Sequence, residues 1–252
     1  MGITVQYLAS LRDDLVARRI GEGIRKLEQC RELLGHLDPQ QENAAAFVGQ
    51  LAQWVDVGFG SHQQVRKLLD LFPAAVRSAL SLRDYVHLRM AEGLIEMSDE
   101  RTASALRHYE FVLSVANDVD DQSMIAIAHF WTGRCYRKSG RYDEATVAGQ
   151  RAIEIARALG YSRMVAIMQV MESWLLFQKG RSTDAVRILK EAEAALSSTD
   201  DYISLGNIHS AYGRISRRDG KYDQAIAHGA RAVEEYRKHR SPHRNLARAL
   251  AN

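Results

Sequence analysis

The 252-residue sequence is poor in proline and cysteine, with three of the first and two of the second. Because it also lacks a Ser/Gly-rich stretch and a block of like charges, we find no candidate linker and expect residues 1–252 to form one continuous body. Cys30 and Cys135 lack the spacing of metal or redox motifs, so reduced, buried thiols are expected. No uncharged apolar run reaches about 18 residues and no signal-peptide pattern opens the chain, which favours a cytoplasmic protein without a membrane partner.

Short motifs that carry catalysis or hold cofactors are missing as well. The chain has no HExxH, no paired-cysteine motif and no GxSxG. The glycine pairs at Gly21 (GEG) and Gly60 (GFG) have neither the preceding strand nor the following Lys-Ser/Thr that phosphate binding requires. We therefore expect no enzymatic activity, no cofactor and no metal site.

The charge of the chain is nearly balanced, at +3, but it is unevenly distributed. Residues 211–252 contain ten Lys or Arg against four Asp or Glu, including Arg231, Arg237, Arg240 and Arg244. A basic end of this kind attracts acidic partners weakly. Aromatic residues do not alternate with these cations, so nucleic-acid binding is the least favoured of the candidate functions.

A glycine recurs every forty residues, at Gly140, Gly180 and Gly220, and each is followed five residues later by alanine. Counting back by the same step places three more turns at Glu100, Gly60 and Gly21. A second series of breaks falls halfway between them, at Asp38-Pro39, near Ser81, at 118–121, at Gly160, at 197–201 and at Ser241-Pro242. The intervening segments have the length and composition of four-turn helices. The pattern predicts an all-α solenoid of about six antiparallel helix hairpins.

Small residues recur at the positions where two helices of a hairpin would cross. Close crossing requires short side chains on both helices. The first helices supply Gly93, Gly133, Ser173 and Gly213, and the second helices supply Ala105, Ala145, Ala185 and Ala225.

The residues at these positions resemble those of the tetratricopeptide repeat. GRCYRKSGRYDEA and GRISRRDGKYDQA match its pattern of small residue, aromatic, turn glycine, tyrosine and alanine, with Tyr136, Tyr142 and Tyr222 in the aromatic places. Residues 86–240 hold recognisable repeats, and residues 1–80 match by spacing only, as degenerate hairpins. The forty-residue period is similar to that of kinesin light chains and of bacterial regulators such as the maltose activator and the Rap phosphatases.

The resemblance implies a right-handed superhelix whose first helices line a concave groove for a peptide or protein segment. We predict that the groove is lined by Phe130, Trp131, Arg134, Arg137, Lys138, Met171, Trp174, Phe177, Arg214, Arg217 and Arg218. An apolar centre between two cationic clusters suits an acidic segment with a large apolar anchor. In the alternative interpretation, Trp131, Trp174 and Phe177 pack between repeats and the arginines form a solvated face.

Two functional hypotheses follow from the resemblance. The first is a protein-interaction scaffold, and the second is the regulatory module of a larger bacterial signalling or transcription-regulator protein. The second rests on residues 241–252, which read either as a capping helix or as the start of a truncated repeat. Whether the chain forms a homo-oligomer is left open by the sequence.

Overall fold

The computed structural model describes residues 3–239 and 244–250, with the side chains of Leu33, Arg244 and Arg248 excepted. Within these residues all regular structure is helical. The helices are α1 (Val5–Val16), α2 (Ile20–Gln29), α3 (Arg31–Gly35), α4 (Ala44–Asp56), α5 (His62–Asp70), α6 (Ala74–Arg77), α7 (Leu82–Ser98), α8 (Thr102–Ser114), α9 (Ala116–Val119), α10 (Gln122–Lys138), α11 (Tyr142–Ala158), α12 (Ser162–Gln178), α13 (Ser182–Leu196), α14 (Tyr202–Arg218), α15 (Tyr222–Lys238) and α16 (Arg244–Leu250).

Six hairpins stack along the described chain, which confirms the predicted all-α solenoid. They are α1/α2, α4/α5, α7/α8, α10/α11, α12/α13 and α14/α15. The remaining helices are short; α16 falls in the segment 241–252, whose residues 241–243 and 251–252 lie outside the described part of the chain, as does Arg240.

The turns inside the later hairpins lie where the repeat predicts them. Each first helix ends in a left-handed residue, at Glu100, Gly140, Gly180 and Gly220, with φ between +63° and +77°. The amide of Arg141, for example, donates to the carbonyl of Tyr136 (2.9 Å), as in a Schellman motif. Glycine tolerates this backbone without the clash that a Cβ would bring, which accounts for its recurrence.

The prediction of a turn at Gly21 was wrong. The first turn is made by Arg18 at φ +54°, and Gly21 lies inside α2. The second turn begins at Gly58 (φ +103°), and the predicted Gly60 (φ +65°) follows in it. The distance in sequence from Gly58 to Glu100 is therefore two residues longer than the forty-residue period. Counting backwards from Glu100 by forty consequently places the first turn too late in the chain.

The first two hairpins are shorter than the predicted 15–17 residues per helix. Helices α1, α2 and α5 have 12, 10 and 9 residues, whereas α10, α11, α12, α14 and α15 have 17 each. Two of the three prolines lie here, at Pro39 and Pro73, and a proline disfavours helical backbone in the residue before it. The additional short helices α3 and α6 lie beside these prolines, α3 before Pro39 and α6 directly after Pro73.

Small residues allow the helices of each hairpin to approach closely, as predicted. A Cβ on Gly93 would lie 2.5 Å from the ring of Tyr109, and one on Gly133 would lie 3.3 Å from the carbonyl oxygen of Ala145. Ser173 is buried as well. Short side chains at these places are therefore a steric requirement of the stacking.

The ends of the solenoid contact each other. Arg18, in the first turn, donates through Nε to Asp201 Oδ2 (2.7 Å), and both side chains are at most 5% exposed. Asp200 accepts the backbone amides of Ile20 (2.7 Å) and Gly21 (2.6 Å) at the start of α2. A Cβ on Gly21 would lie only 2.8 Å from this carboxylate. The contact between the first turn and the loop before α14, which we call the clasp, explains why glycine occupies position 21.

Two further hydrogen bonds reinforce the clasp. The guanidinium of Arg163, at the start of α12, donates to the carbonyl oxygen of Ala17 (2.6 Å). His239, after α15, donates through Nε2 to the carbonyl oxygen of Val57 (3.0 Å). The first two turns of the array are thus tied to its last two hairpins.

We expect Gly93→Ala to destabilise the protein by about 1–3 kcal/mol, because the added methyl group overlaps the buried Tyr109 ring. The matched control is Gly229→Ala in α15, where a Cβ meets no atom within 4 Å. It should be neutral or stabilise by up to about 1 kcal/mol through helix propensity. Urea denaturation of both variants measures the difference, and equal effects would contradict the steric explanation.

We expect Asp201→Ala to destabilise by about 3–5 kcal/mol, because it leaves the buried guanidinium of Arg18 without its carboxylate. The substitution also removes the side chain that accepts the Ser204 amide at the start of α14. Glu154→Ala, which breaks an exposed ion pair with Arg151, should change stability by less than about 1 kcal/mol. A loss for Asp201→Ala no larger than that of the control would show that the clasp does not stabilise the fold.

Candidate functional site

A cavity of about 1120 Å³ lies on the concave side of the array. Its wall is built mainly by the first helices of the hairpins, α4, α7, α10, α12 and α14, and it is completed by α15. Leu15 and Arg18 of the first hairpin also reach it, as do Ile203 and Ser204 just beyond the clasp. The cavity wall therefore includes residues from both sides of the clasp.

Nine of the eleven residues predicted for the groove line this one cavity. They are Phe130, Trp131, Arg134, Arg137, Lys138, Met171, Trp174, Arg214 and Arg217. Phe177 and Arg218 do not line it. The guanidinium of Arg218 lies 3.6 Å from the centre of the Phe177 ring and donates to the carbonyl oxygen of Phe177 (2.6 Å) and to Ser182 Oγ (2.6 Å). These two residues join neighbouring hairpins at the end of α12.

The aromatic part of the wall is also packed against the protein. Trp131 is 6% exposed and stacks on Tyr109 with ring centres 6.3 Å apart. Trp174 is half-buried and meets Tyr142 edge-on at 5.4 Å. The alternative interpretation of these tryptophans as inter-helix packing residues thus accounts for most of their surface. Only the remainder, chiefly on Trp174, is available to a ligand.

Cations outnumber carboxylates around the cavity. Among the described lining residues, Arg18, Arg134, Arg137, Lys138, Arg214, Arg217 and Arg237 are basic, and Asp56 and Glu100 are acidic. Arg134 lies 4.2 Å from the centre of the Trp131 ring and 3.7 Å from Asp56, and Lys138 lies 4.0 Å from Glu100. The excess of positive charge favours anionic ligands.

A polar cluster lies at the far end of the wall. Tyr236 donates its hydroxyl hydrogen to Asn207 Oδ1 (2.8 Å), and its oxygen lies 3.2 Å from Ser210 Oγ. Asn245 of α16 donates to the same Asn207 oxygen (2.8 Å). The sequence carries no signal for the part that Tyr236 and Asn245 take in this cluster, because it depends on how α15 and α16 pack on α14.

The basic C-terminal residues do not form one continuous patch in the described structure. Arg231 pairs with Glu234 (3.2 Å) on the surface of α15, whereas Arg237 faces the concave cavity. Arg218 packs on Phe177. Because these cations are dispersed, the C-terminal end is poorly suited to bind along the phosphate backbone of a nucleic acid.

A second cavity, of about 630 Å³, lies against α1, α4 and α7. His87 lines it and is only 9% exposed. Burial lowers the pKa of His87 to about 4; Asp121 and Asp84 oppose the shift, whereas Arg83 and Arg12 add to it. The imidazole is therefore neutral at physiological pH.

The described residues contain no group of three or more His, Cys, Asp or Glu arranged to hold a metal ion. Nor is any helix among them long and apolar enough to span a bilayer.

Comparison with known proteins matches one part of the chain to a known repeat. Residues 90–159 match the family model of the tetratricopeptide repeat. The fold is similar to apo NprR, a quorum sensor from B. thuringiensis, with 15% identity over 97% of this chain and 68% of that chain, and a TM-score of 0.69. It is also similar to BtubC (BKLC) from P. vanneervenii, with 17% identity over 91% and 95% of the two chains and a TM-score of 0.60. Apo RapI gives 14% identity over 97% and 68%, and a TM-score of 0.61. No curated protein matches the sequence.

We expect the pKa of His87 to make stability depend on pH. Between its ordinary value of 6.5 and about 4, the unfolded chain binds a proton at His87 that the folded chain does not, so stability falls as pH falls. At pH 4.5 this proton binding by the unfolded chain lowers the free energy of unfolding by about 2–3 kcal/mol. Free energies of unfolding at pH 7 and pH 4.5 should therefore differ less in His87→Gln than in the unmodified protein. An identical difference in the two proteins would contradict the shifted pKa.

Proposed function

From its architecture as a tetratricopeptide-type helical solenoid, we propose that the protein is a non-catalytic interaction module that binds an acidic peptide or protein segment in the concave cavity. The observation that carries the proposal is the composition of the cavity wall. A half-buried tryptophan, Trp174, lies between the cations at the end of α10 and those of α14.

The chemistry of the wall supports a segment with one apolar anchor and flanking carboxylates. On one side Arg137 and Lys138 end α10, and on the other Arg214 and Arg217 lie in the last turns of α14. Arg217 and Arg214 are exposed, so a ligand carboxylate can reach them. Guanidinium groups offer paired hydrogen bonds to carboxylates, which gives direction as well as charge.

A second function, as the ligand-sensing module of a larger regulator, is favoured by the clasp. Because the cavity wall includes residues on both sides of the Arg18–Asp201 contact, a ligand that bridges them changes the stability of the closed array. The similar protein NprR is described as a quorum sensor. In both functions the ligand binds in the concave cavity, but the sensing function also requires an output domain.

A test of the proposal reverses one cation from each cluster, with Lys138→Glu and Arg214→Glu in one chain. Both side chains are exposed, so the fold should persist. The probe is a fluorescein-labelled peptide with one phenylalanine between two runs of three glutamates. We expect the double variant to bind it at least about tenfold more weakly, a loss of about 1.4 kcal/mol, by fluorescence anisotropy.

The matched control is Arg25→Glu with Arg107→Glu, two exposed arginines on α2 and α8 outside the cavity lining. It changes the net charge equally and should leave binding nearly unchanged. Equal weakening by both double variants would indicate attraction by net charge alone. That result, or the absence of binding to the unmodified protein up to about 1 mM peptide, would refute the proposed ligand chemistry.

A further inference from the structure

The second cavity, against α1, α4 and α7, has polar groups of its own. Among the described residues it shares with the concave cavity only Leu15, Gln53 and Ile127. None of its charged or titratable side chains lines the concave cavity. At about 630 Å³, it has the size of a site for a small organic ligand.

Two opposite charges meet in the wall of this cavity. Arg12, on α1, places Nη1 3.8 Å from Asp121 Oδ2, a distance too long for a hydrogen bond. Asp121 caps α10, where its other oxygen, Oδ1, accepts the amide of Met124 (3.0 Å). The side chain of Asp121 is 10% exposed and that of Arg12 is 37% exposed. Both groups therefore lie at the cavity and can still take further hydrogen bonds.

His87 adds a buried polar ring to the same wall. It is 9% exposed and makes no hydrogen bond with any of the described residues. Since the imidazole is neutral, one of its nitrogens can donate a hydrogen bond and the other can accept one. Buried polar side chains nearly always have a hydrogen-bond partner, so this ring requires one from within the cavity.

Much of the remaining wall is apolar and comes from several helices. Leu8 and Val16 of α1 and Met124 of α10 are each at most 8% exposed. Val76 of α6, and Leu80 after it, are half-buried. These side chains can cover a large aliphatic or aromatic group. The cavity thus combines an apolar region with one cation, one anion and one neutral imidazole.

We propose that this cavity binds a free α-amino acid with a large apolar side chain, as its zwitterion. The ligand carboxylate pairs with Arg12 and the ammonium group with Asp121, while His87 completes the hydrogen bonds. A ligand with only a carboxylate would bring a second anion beside Asp121, and one with only an amine would bring a second cation beside Arg12. The two charged groups of an α-amino acid are attached to one carbon atom, which suits a cation and an anion that lie close together without a bond.

The first test titrates L-phenylalanine into the full chain by isothermal titration calorimetry. We expect saturable binding with a Kd at or below about 1 mM. L-Phenylalaninamide lacks the carboxylate and N-acetyl-L-phenylalanine lacks the ammonium group, so each should bind at least about tenfold more weakly. Equal affinity for either analogue would replace the zwitterion by a simple amine or carboxylate and overturn the proposal. Absence of L-phenylalanine binding up to about 10 mM would overturn it as well.

Two variants assign the ligand's charges to the protein. Asp121→Asn removes the charge but can still cap α10. It should weaken L-phenylalanine binding at least about tenfold and strengthen binding of N-acetyl-L-phenylalanine, because the repelling carboxylate is gone. Arg12→Met keeps the apolar stem and should weaken L-phenylalanine binding to a similar extent. Arg25→Met, at an exposed arginine of α2 outside the cavity, is the matched control. Unchanged affinity in both cavity variants, or equal weakening in the control, would contradict the assignment.

The concave site separates this proposal from the proposed function. Lys138→Glu with Arg214→Glu should leave L-phenylalanine binding unchanged, and Arg12→Met should leave binding of the acidic peptide unchanged. Loss of L-phenylalanine binding in the first variant, with affinity retained in Arg12→Met, would place the amino acid in the concave cavity and overturn this site. Failure of the acidic peptide to bind the unmodified protein would refute the proposed function alone, since the two ligands use different charged residues.

Discussion

The buried ion pair between Arg18 and Asp201 is the contact on which the form of the cavity depends. Each hairpin of a solenoid touches only its neighbours, so curvature is otherwise a sum of small rotations. The clasp adds a contact between distant units, because Asp200 and Asp201 hold the first turn and the start of α2. Desolvation offsets much of the attraction between two buried charges, so breaking such a pair costs more than the intact pair contributes to net stability. In this chain the pair joins the first turn to the loop before α14, and Arg18 itself lines the cavity.

Glycine has three different uses in the array. At Gly140 and its equivalents it permits a left-handed turn, and at Gly93 it permits two helices to cross closely. At Gly149 it opens a niche for a side chain of the next repeat.

Much of the fold was predictable because its determinants are local. The recurring turn glycines and the small residues at crossings required only the sequence period, and the structure confirms them from Glu100 onwards. The first turn was predicted at Gly21 and lies at Arg18. The period is two residues longer between Gly58 and Glu100, and an arginine in the turn gives no sequence signal that would have revealed the shift. The clasp joins residues far apart in the chain, and its formation depends on accumulated curvature that no local pattern reports.

The site was predicted less completely, for a related reason. Trp174 and Arg214, about one turn before the ends of α12 and α14, line the cavity. At helix ends the side chain can reach the preceding unit, as Arg218 does over Phe177. The most direct test of the closed array is an electron–electron spin-label distance between Arg25→Cys and Ser198→Cys, in a chain with Cys30→Ala and Cys135→Ala. We predict one narrow, short-distance distribution that broadens when Asp201→Ala is added; a broad, long-distance distribution with Asp201 present would contradict a closed array.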